Sequence, residues 1–346
     1  MGKRVTIADI AREAGVSKGS VSYALNGQPG VSDATRGRIV EIAEQLGFTP
    51  SRGTRAPSAA RAGAAGLVIC RPARILGVEP FFMELVSGIE AALSAQSCDL
   101  TIHVVPEHEA ELRVYERWAT QRRVDGVFLV DVRVDDERLD AVRRLQLPAV
   151  AIAGPGDFGG ITSVWSDDAA AITDTVEYLA ALGHRNVARV GGLPHLLHTV
   201  TRTEAFAAAC QRLGVQHAVT VPSDYSGEEG GRATRRLLSS ADRPTAIIFD
   251  NDIMAVAGLG AAHEMGIPVP QDLSIVAWGD SLLCSVVHPP LTALSRDVAA
   301  YGNIAARQLL TVIAEGSAPS YQHETAFLVP RASTARPSNV LAGTVG

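Results

Sequence analysis

TIADIAREAGVSKGSVSYALNG, residues 6–27, sets two short helical patterns on either side of a glycine. Thr6 is placed to cap the first helix, with Asp9 three residues on as a weaker form of the capping box. Ile7, Ile10, Ala11 and Ala14 then repeat at helical spacing. Gly15 ends that helix, and Ser17 is placed to cap a second one running to about Asn26. Further on, Ser32 is placed to cap a third, whose buried stripe is Ile39, Ile42, Ala43 and Leu46. Ala11, Gly15 and Val21 stand where a helix-turn-helix needs a small residue at the crossing, a turn glycine and an apolar anchor. The second helix presents Ser17, Lys18, Gly19, Ser22 and Tyr23, a face with too little apolar surface for a core and too little charge for pure solvation. Such a helix suits the major groove, with short hydroxyls and helix-terminal amides on phosphate and Lys18 or Tyr23 near base edges. Lys18 matches guanine O6 and N7, while Gly19 mainly permits close approach. A helical hairpin with a solvated face is the competing reading.

Charge divides the chain in the same place. Its formal net charge is −6 over 346 residues, which alone argues against a nucleic-acid partner. Residues 1–61, however, carry nine Lys or Arg against five acids, so the head is +4 and the remainder −10. A small basic module on a large acidic body implies a polyanionic partner for the head. Cys70, Cys98, Cys210 and Cys284 form no pair at metal-ligand or redox spacing and read as buried small residues in a reducing compartment. No secretion-signal pattern opens the sequence and no run of 18 apolar residues occurs. The expectation is a soluble, cytoplasmic protein, nucleoid-associated when bound to DNA, with no membrane partner.

Residues 49–65, TPSRGTRAPSAARAGAA, hold Pro50, Pro57 and several arginines with almost no large apolar side chain. This is a linker by composition, either a passive tether or a basic arm. From Gly66 the pattern changes. Short apolar runs (GLVIC, DLTIHVV, DGVFLV, PAVAIAG, NVARVGG, TAIIFD, LSIVAW) alternate with helical stretches such as FFMELVSGIEAALSAQ and TRTEAFAAACQRLG. Repeated strand–helix units imply a mostly parallel sheet covered on both faces. Some 270 residues exceed one doubly wound unit, so two similar subdomains with a cleft between them are expected. Open α/β sheets bind ligands beyond the carboxyl ends of their strands, where FDND and VAWGDS place polar residues.

Catalytic signatures are missing. There is no HExxH, GxSxG or GxxxxGK[ST], and AGLGAAHEMG lacks the third glycine of a dinucleotide fingerprint. HVVPEHE, with His103, Glu107, His108 and Glu109, reads as strand, turn and solvated charges rather than as a metal cluster. His195 and His198 of PHLLH are assigned to a loop, and Glu84 and Glu90 to an exposed helix face. No metal or cofactor is expected. Arg202, Asn251, Asp252 and Asp280 sit at strand–helix junctions, where they suit hydrogen bonding to sugar hydroxyls or amides. Phe81, Phe82, Trp165 and Trp278 add apolar faces, and Asp131 follows the DGVFLV run. Helix caps and core aromatics are the competing assignments.

VTIADIAREAGVSKGSVSYALNG with VSDATRGRIVEIAEQLGFTP resembles the head of the lactose-repressor (LacI/GalR) family of bacterial transcription regulators. EPFFMELVSGIE, LGHRNVARVGG, FDNDIMAVAGLGAAHEMGIPVPQDLSIVAW and HPPLTAL extend the resemblance from about Val5 to Thr334. It implies an α/β architecture in which a three-helix helix-turn-helix head, residues 1–49, joins through a hinge, residues 50–65, to a periplasmic-binding-protein-like body. That body, residues 66–334, would hold two doubly wound α/β subdomains: about 66–165 with 295–325, and about 166–294 with 326–334. Residues 335–346 are expected to be a flexible tail. The resemblance further implies a non-enzymatic homodimer, sometimes a tetramer, on pseudo-palindromic double-stranded operator DNA, released by a small sugar or sugar derivative. An activator, or a corepressor-dependent regulator of a non-sugar metabolite, is the alternative.

By family position Thr6, Ser17, Ser22, Asn26, Ser32 and Thr35 anchor phosphates or the groove, and Lys18, Gly19 and Tyr23 form the specificity set. Many relatives carry Arg where this chain has Tyr23. Arg52, Arg55 and Pro57 belong to the hinge, with Pro57 standing where a leucine usually wedges into the minor groove. Phe81, Phe82, Asp131, Trp165, Arg202, Asn251, Asp252, Trp278 and Asp280 make up the effector set. Gly279 replaces the carboxylate that many relatives carry. Asp280 then takes over its role, or the effector lacks the hydroxyl that carboxylate holds.

Overall fold

The computed structural model describes residues 5–25, 30–46, 48, 61–72, 76–77 and 79–338. They fall into two units, Met1–Arg61 and Ala62–Gly346, each with its own core. In the first unit α1 spans Ile7–Ala14, α2 Lys18–Leu25 and α3 Asp33–Gln45. The Asp9 carboxylate accepts from the Thr6 amide at 3.0 Å and from its hydroxyl at 2.6 Å, closing the start of α1. Gly15, at φ +67°, takes the left-handed conformation that ends α1 and admits a tight turn into α2. Ile10, Ala11, Ala14, Val21, Ala24, Ile39 and Ala43 form the buried core. One expectation needs correction: Leu46 is 36% exposed because it lies beyond the last turn of α3 rather than on its buried stripe.

The second unit contains two six-stranded sheets. The first uses β1 (Ala64–Cys70), β2 (Asp99–Val105), β3 (Gly126–Leu129), β4 (Ala149–Ala153), β5 (Thr162–Trp165) and, late in the chain, β11 (Tyr321–Gln322). Its order is β11-β5-β4-β3-β1-β2, parallel throughout. The second uses β6 (Asn186–Gly191), β7 (His217–Pro222), β8 (Ala246–Phe249), β9 (Ser274–Trp278), β10 (Thr292–Ser295) and β12 (Phe327–Val329). It runs β12-β10-β9-β8-β6-β7, with only β12 antiparallel. Central strands buried on both faces explain the near-continuous apolar runs of β1, β3, β4, β8 and β9, while the edge strands β2 and β7 are largely exposed.

Helices cover both faces. They are α4 (Pro80–Ser94), α5 (His108–Thr120), α6 (Glu137–Arg144), α7 (Asp168–Leu182), α8 (Leu197–Arg212), α9 (Gly227–Leu238), α10 (Asp252–Glu264), α11 (Leu282–Val286) and α12 (Val298–Glu315). α4 and α12 pack together closely. A Cβ at Gly88 would collide with the Ala299 carbonyl, and one at Gly302 with the Leu85 carbonyl. The chain passes from one sheet to the other after β5, after β10 and after β11, so three strands join the subdomains. In each sheet the order reverses beside the first strand, β1 or β6. The crevice at those carboxyl ends is where a ligand fits. Cys98, Cys210 and Cys284 are buried free thiols and Cys70 is half-buried. Among the described residues no helix is long and apolar enough to cross a membrane.

Both ends of the expected body move. Ala64 and Ala65, assigned to the hinge, open β1, because the Asp125 carboxylate accepts from the Ala62 and Gly63 amides at 2.6 and 2.7 Å. Ala335, assigned to a flexible tail, is fixed by Ser274 and by buried His184, and Ser338 donates to the Gln271 carbonyl. His184 Nε2 donates to the Ala335 carbonyl at 3.0 Å, which leaves Nδ1 to accept from the Thr245 hydroxyl at 2.8 Å. Burial pushes its pKa down to about 4, below the 6.5 of a free imidazole. The neutral ring therefore stabilises the fold above pH 6.5, and that contribution is lost as pH falls from 6.5 towards 4, in total about 3 kcal/mol. Urea unfolding from pH 7 to pH 4 should show this loss. His184→Asn should flatten the acid limb, and an unchanged pH slope in that variant would contradict the assignment.

Candidate functional site

Two places gather the expected residues. In the first unit, α2 leaves Ser17, Lys18 and Gly19 exposed and Ser22 half-buried, with Tyr23 51% exposed. The Tyr23 ring lies against Gly30, where an added Cβ would come within 3.3 Å of it, so the ring has a backing. The hydroxyls sit at helix starts. Ser17 Oγ accepts from the Ser20 amide at 3.0 Å, and Ser32 Oγ accepts from the Thr35 amide at 3.3 Å. Thr6 holds the start of α1 through Asp9. All three are capping groups, and the helix N-termini they mark favour a negative charge. Arg36 donates to the Ala24 carbonyl at 3.2 Å and closes the far end of α2. Asn26, Arg52, Arg55 and Pro57 lie outside the described residues.

The second place is a cleft at the strand carboxyl ends of both sheets. Its centre is Arg202, buried on α8. Arg202 Nε donates to Asp168 Oδ2 at 2.8 Å, Nη1 stands 3.7 Å from Asp250, and the guanidinium lies 3.7 Å above the Trp278 ring. Asp250 is held from behind by Arg189, Nε to Oδ1 at 2.8 Å. Across the cleft, Arg71 pairs with Asp131 at 2.9 Å and lies over the rings of Phe82 and Tyr225. Asp131 adopts φ +50°, a conformation that favours glycine and persists only where neighbours impose it. Here Arg138 Nη2 holds that backbone by donating to the Asp131 carbonyl at 3.0 Å.

Several expected residues have structural partners. Asn251 caps α10, accepting from the Met254 amide at 2.8 Å and donating to the Tyr225 carbonyl at 2.9 Å. Asp280 takes both terminal nitrogens of Arg331, at 2.7 and 2.8 Å. Gly279 sits at φ +100°, so an aspartate there would be strained. Asp252, Phe81 and Phe82 line the cleft, with Phe82 fully buried. Trp165 does not line it. It ends β5 beside β11, and its carbonyl accepts from the His323 amide, so the polar turn after it, Ser166 and Asp168, faces the cleft instead.

Other cleft residues were missed from sequence, Arg71, Glu79, Asp168, His198, Tyr225, Arg296 and Tyr301, and Asp250 was named only as part of FDND. The strand-end rule reaches Arg71 and Asp250, which directly follow the GLVIC and AIIF runs. His198 is not in a loop. PHLLH enters α8 at Leu197, because the Leu197 amide donates to the Val132 carbonyl at 2.8 Å and starts the helix. His198 Nε2 lies 2.7 Å from the Tyr225 hydroxyl, and burial with Arg202 and Arg71 nearby holds its pKa well below the usual value. Glu84 lines the cleft while staying exposed. Four buried polar atoms there lack a hydrogen-bond partner, Arg71 Nε, Glu79 Oε2, Asp131 Oδ2 and Trp278 Nε1, although Asp131 Oδ2 is ion-paired with Arg71.

Residues 6–51 match the model of the lacI family of bacterial regulatory proteins, and residues 176–334 match that of a periplasmic binding protein-like domain. The HTH-type transcriptional regulator MalR of Streptomyces coelicolor is 31% identical over 344 residues, 95% of this chain and 96% of that one. A solved complex of the transcriptional regulator CelR with cellobiose superposes with a TM-score of 0.73 at 26% identity, covering 95% of this chain and 100% of that one. A lac repressor dimer bound to operator and the anti-inducer ONPF gives a TM-score of 0.81, over 96% and 100% of the two chains. At 24% identity that likeness is one of fold.

Removing one member of a buried ion pair leaves its partner charged and uncompensated, at a cost of about 3 kcal/mol or more. Arg202→Met is therefore expected to lower the unfolding free energy of the body by that amount, read as a lower urea midpoint. Adding Asp168→Asn should restore part of it, because the stranded carboxylate is then gone. A single variant as stable as the parent would contradict the central place given to Arg202.

Proposed function

Because the chain belongs to the lacI family of bacterial regulatory proteins, we propose that it is an effector-responsive repressor whose α2 face reads a pseudo-palindromic operator. It is a DNA-binding transcriptional regulator rather than an enzyme. One head reads few base pairs, so two copies on one operator, as in the lac repressor dimer, supply the needed length. The observation that carries this reading is the exposed face of Ser17, Lys18, Gly19 and Tyr23, with Ser22 half-buried beside them, at the second helix of a helix-turn-helix.

On this reading Thr6, Ser17, Ser22, Ser32 and Thr35 meet phosphates, and Lys18 and Tyr23 meet base edges. Asn26, Arg52, Arg55 and Pro57 extend the contact. The cleft takes a small sugar or sugar derivative, as CelR takes cellobiose. Phe81 and Trp278 supply apolar faces, and Asp131, Arg202 and Asp252 supply polar edges. Asp280 is committed to Arg331, so the effector lacks the hydroxyl held by the carboxylate that Gly279 replaces. Effector releases DNA only if it binds the DNA-incompetent arrangement of the body more tightly than the competent one.

Footprinting with and without a panel of sugars tests the reading. It predicts a symmetric protected site that one sugar class abolishes, and no symmetric protection under any condition would overturn it. Within the site, Tyr23→Ala should relax discrimination at one position per half-site by about 1–3 kcal/mol. Lys18→Ala should weaken binding across sequences and lower the salt slope by about one per head. Binding isotherms on single-base operator variants at several salt concentrations measure both, and unchanged base preference in Y23A or unchanged affinity in K18A would refute these roles.

A further inference from the structure

The ion pairs of the cleft leave three carboxyl groups over. Asp168, Asp250, Asp131 and Asp280 each have an arginine. Glu79, Glu84 and Asp252 line the same cleft, and among the described residues none of them forms an ion pair, although the Arg71 guanidinium acts on Glu79 from a distance. Glu79, just before α4, is only 8% exposed, and its Oε2 has no hydrogen-bond partner. Trp278, 6% exposed on the other sheet, leaves its indole N–H unpartnered on the same cleft. Buried polar groups are seldom left unsatisfied, and those found orphaned in a binding cleft mark atoms a ligand completes.

Asp252 acts on both glutamates. Glu79 is raised to about 7 by burial, opposed by the Arg71 guanidinium and reinforced by the Asp131 and Asp252 carboxylates. Asn251 hydrogen-bonds to Glu79 and favours its charged form. Glu84 is raised by burial and by Asp252 and Asp297, and Asp252 by burial against hydrogen bonds from Ser281 and Ile253. The surplus groups are therefore acidic, while the guanidiniums of Arg71, Arg202 and Arg296 already face carboxylates or aromatic rings, with Arg71 Nε alone left as an unpartnered donor. Among the described residues no group of three His, Cys, Asp or Glu is arranged to hold a metal ion.

Resting on the sugar-responsive reading above, we propose that the effector carries a protonated amine, that Glu79 receives it with Glu84 and Asp252 nearby, and that sugar acids are rejected. Trp278 Nε1 then donates to a ring hydroxyl of the same ligand. The amine pairs with the ionised form of Glu79, so binding releases protons near pH 7 and tightens as pH rises through that range while the amine stays charged.

Isothermal titration at pH 7 with the full chain tests this, using glucose, galactose and cellobiose series, each as the neutral sugar, the 2-amino sugar and the uronic acid. In at least one series the amino sugar should bind about tenfold tighter than its neutral parent and the acid about tenfold weaker. Repeating the amine titration in two buffers of different ionisation enthalpy should reveal proton release. Glu79→Gln should erase the preference for the amine, with its melting curve reporting that it folds. Glu84→Gln, at an exposed position, should reduce the preference without depending on a buried substitution. Neutral sugars binding as tightly as their amines, or acids binding more tightly, would overturn the inference and leave the sugar reading standing. Binding by none of the nine would overturn both.

Discussion

Burying a carboxylate costs several kcal/mol unless a cation meets it, and the body is organised around meeting that cost at the ends of its strands. Asp168 follows β5, Asp250 follows β8, and Arg202 on α8 joins them while lying flat on Trp278 at the end of β9. One guanidinium thus ties together the crossing between sheets, the two central strands of the second sheet and the helix behind them. Arg189, fully buried, completes the second face of Asp250, so that carboxylate has no free edge. The geometry leaves Trp278 with one covered face and an open N–H, which turns a structural brace into a cleft wall.

The same cleft is where the subdomains touch. The loop after β3 donates from Val134 to the His195 carbonyl at 3.1 Å and accepts from Leu197 at Val132. That loop is itself anchored by buried Arg138, which holds Asp136, Glu111 and the Asp131 carbonyl. Arg71 reaches from the first sheet to the Tyr225 ring of the second. These links are few and polar, whereas each subdomain has a large apolar core of its own. A ligand that bridges both walls therefore adds a sizeable share of the free energy holding them in one arrangement. A three-strand connection permits rotation between subdomains while limiting their separation, as a two-state regulator requires.

Much of this was legible in the sequence. Apolar runs at regular intervals marked the strands, and Gly15 between two capped helices marked the helix-turn-helix, because local rules govern both. The strand-end rule found Asn251, Asp252 and Trp278. It could not tell Asn251 as a cap from Asn251 as a ligand, since that depends on the Tyr225 carbonyl, 26 residues away. Glu79, read as part of a family stretch, gains its meaning only when Arg71, Asp131 and Asp252 from separate strands surround it. Trp165 was placed in the cleft for its size, but the edge pairing of β5 with the late strand β11 turns it elsewhere. His198 was assigned to a loop because a backbone bond from Leu197 to the opposite subdomain leaves no trace in composition.

The account rests on one claim, that occupancy of the cleft and affinity for operator are coupled through the body. Such coupling is reciprocal by thermodynamic necessity. Paired titrations measure it: operator affinity with and without saturating sugar, and sugar affinity with and without operator, on the same protein at the same salt. The account predicts that the sugar weakens operator binding by some 5–150-fold, and that operator weakens sugar binding by the same factor. Sugar binding with equal affinity to the free and the operator-bound protein would contradict it.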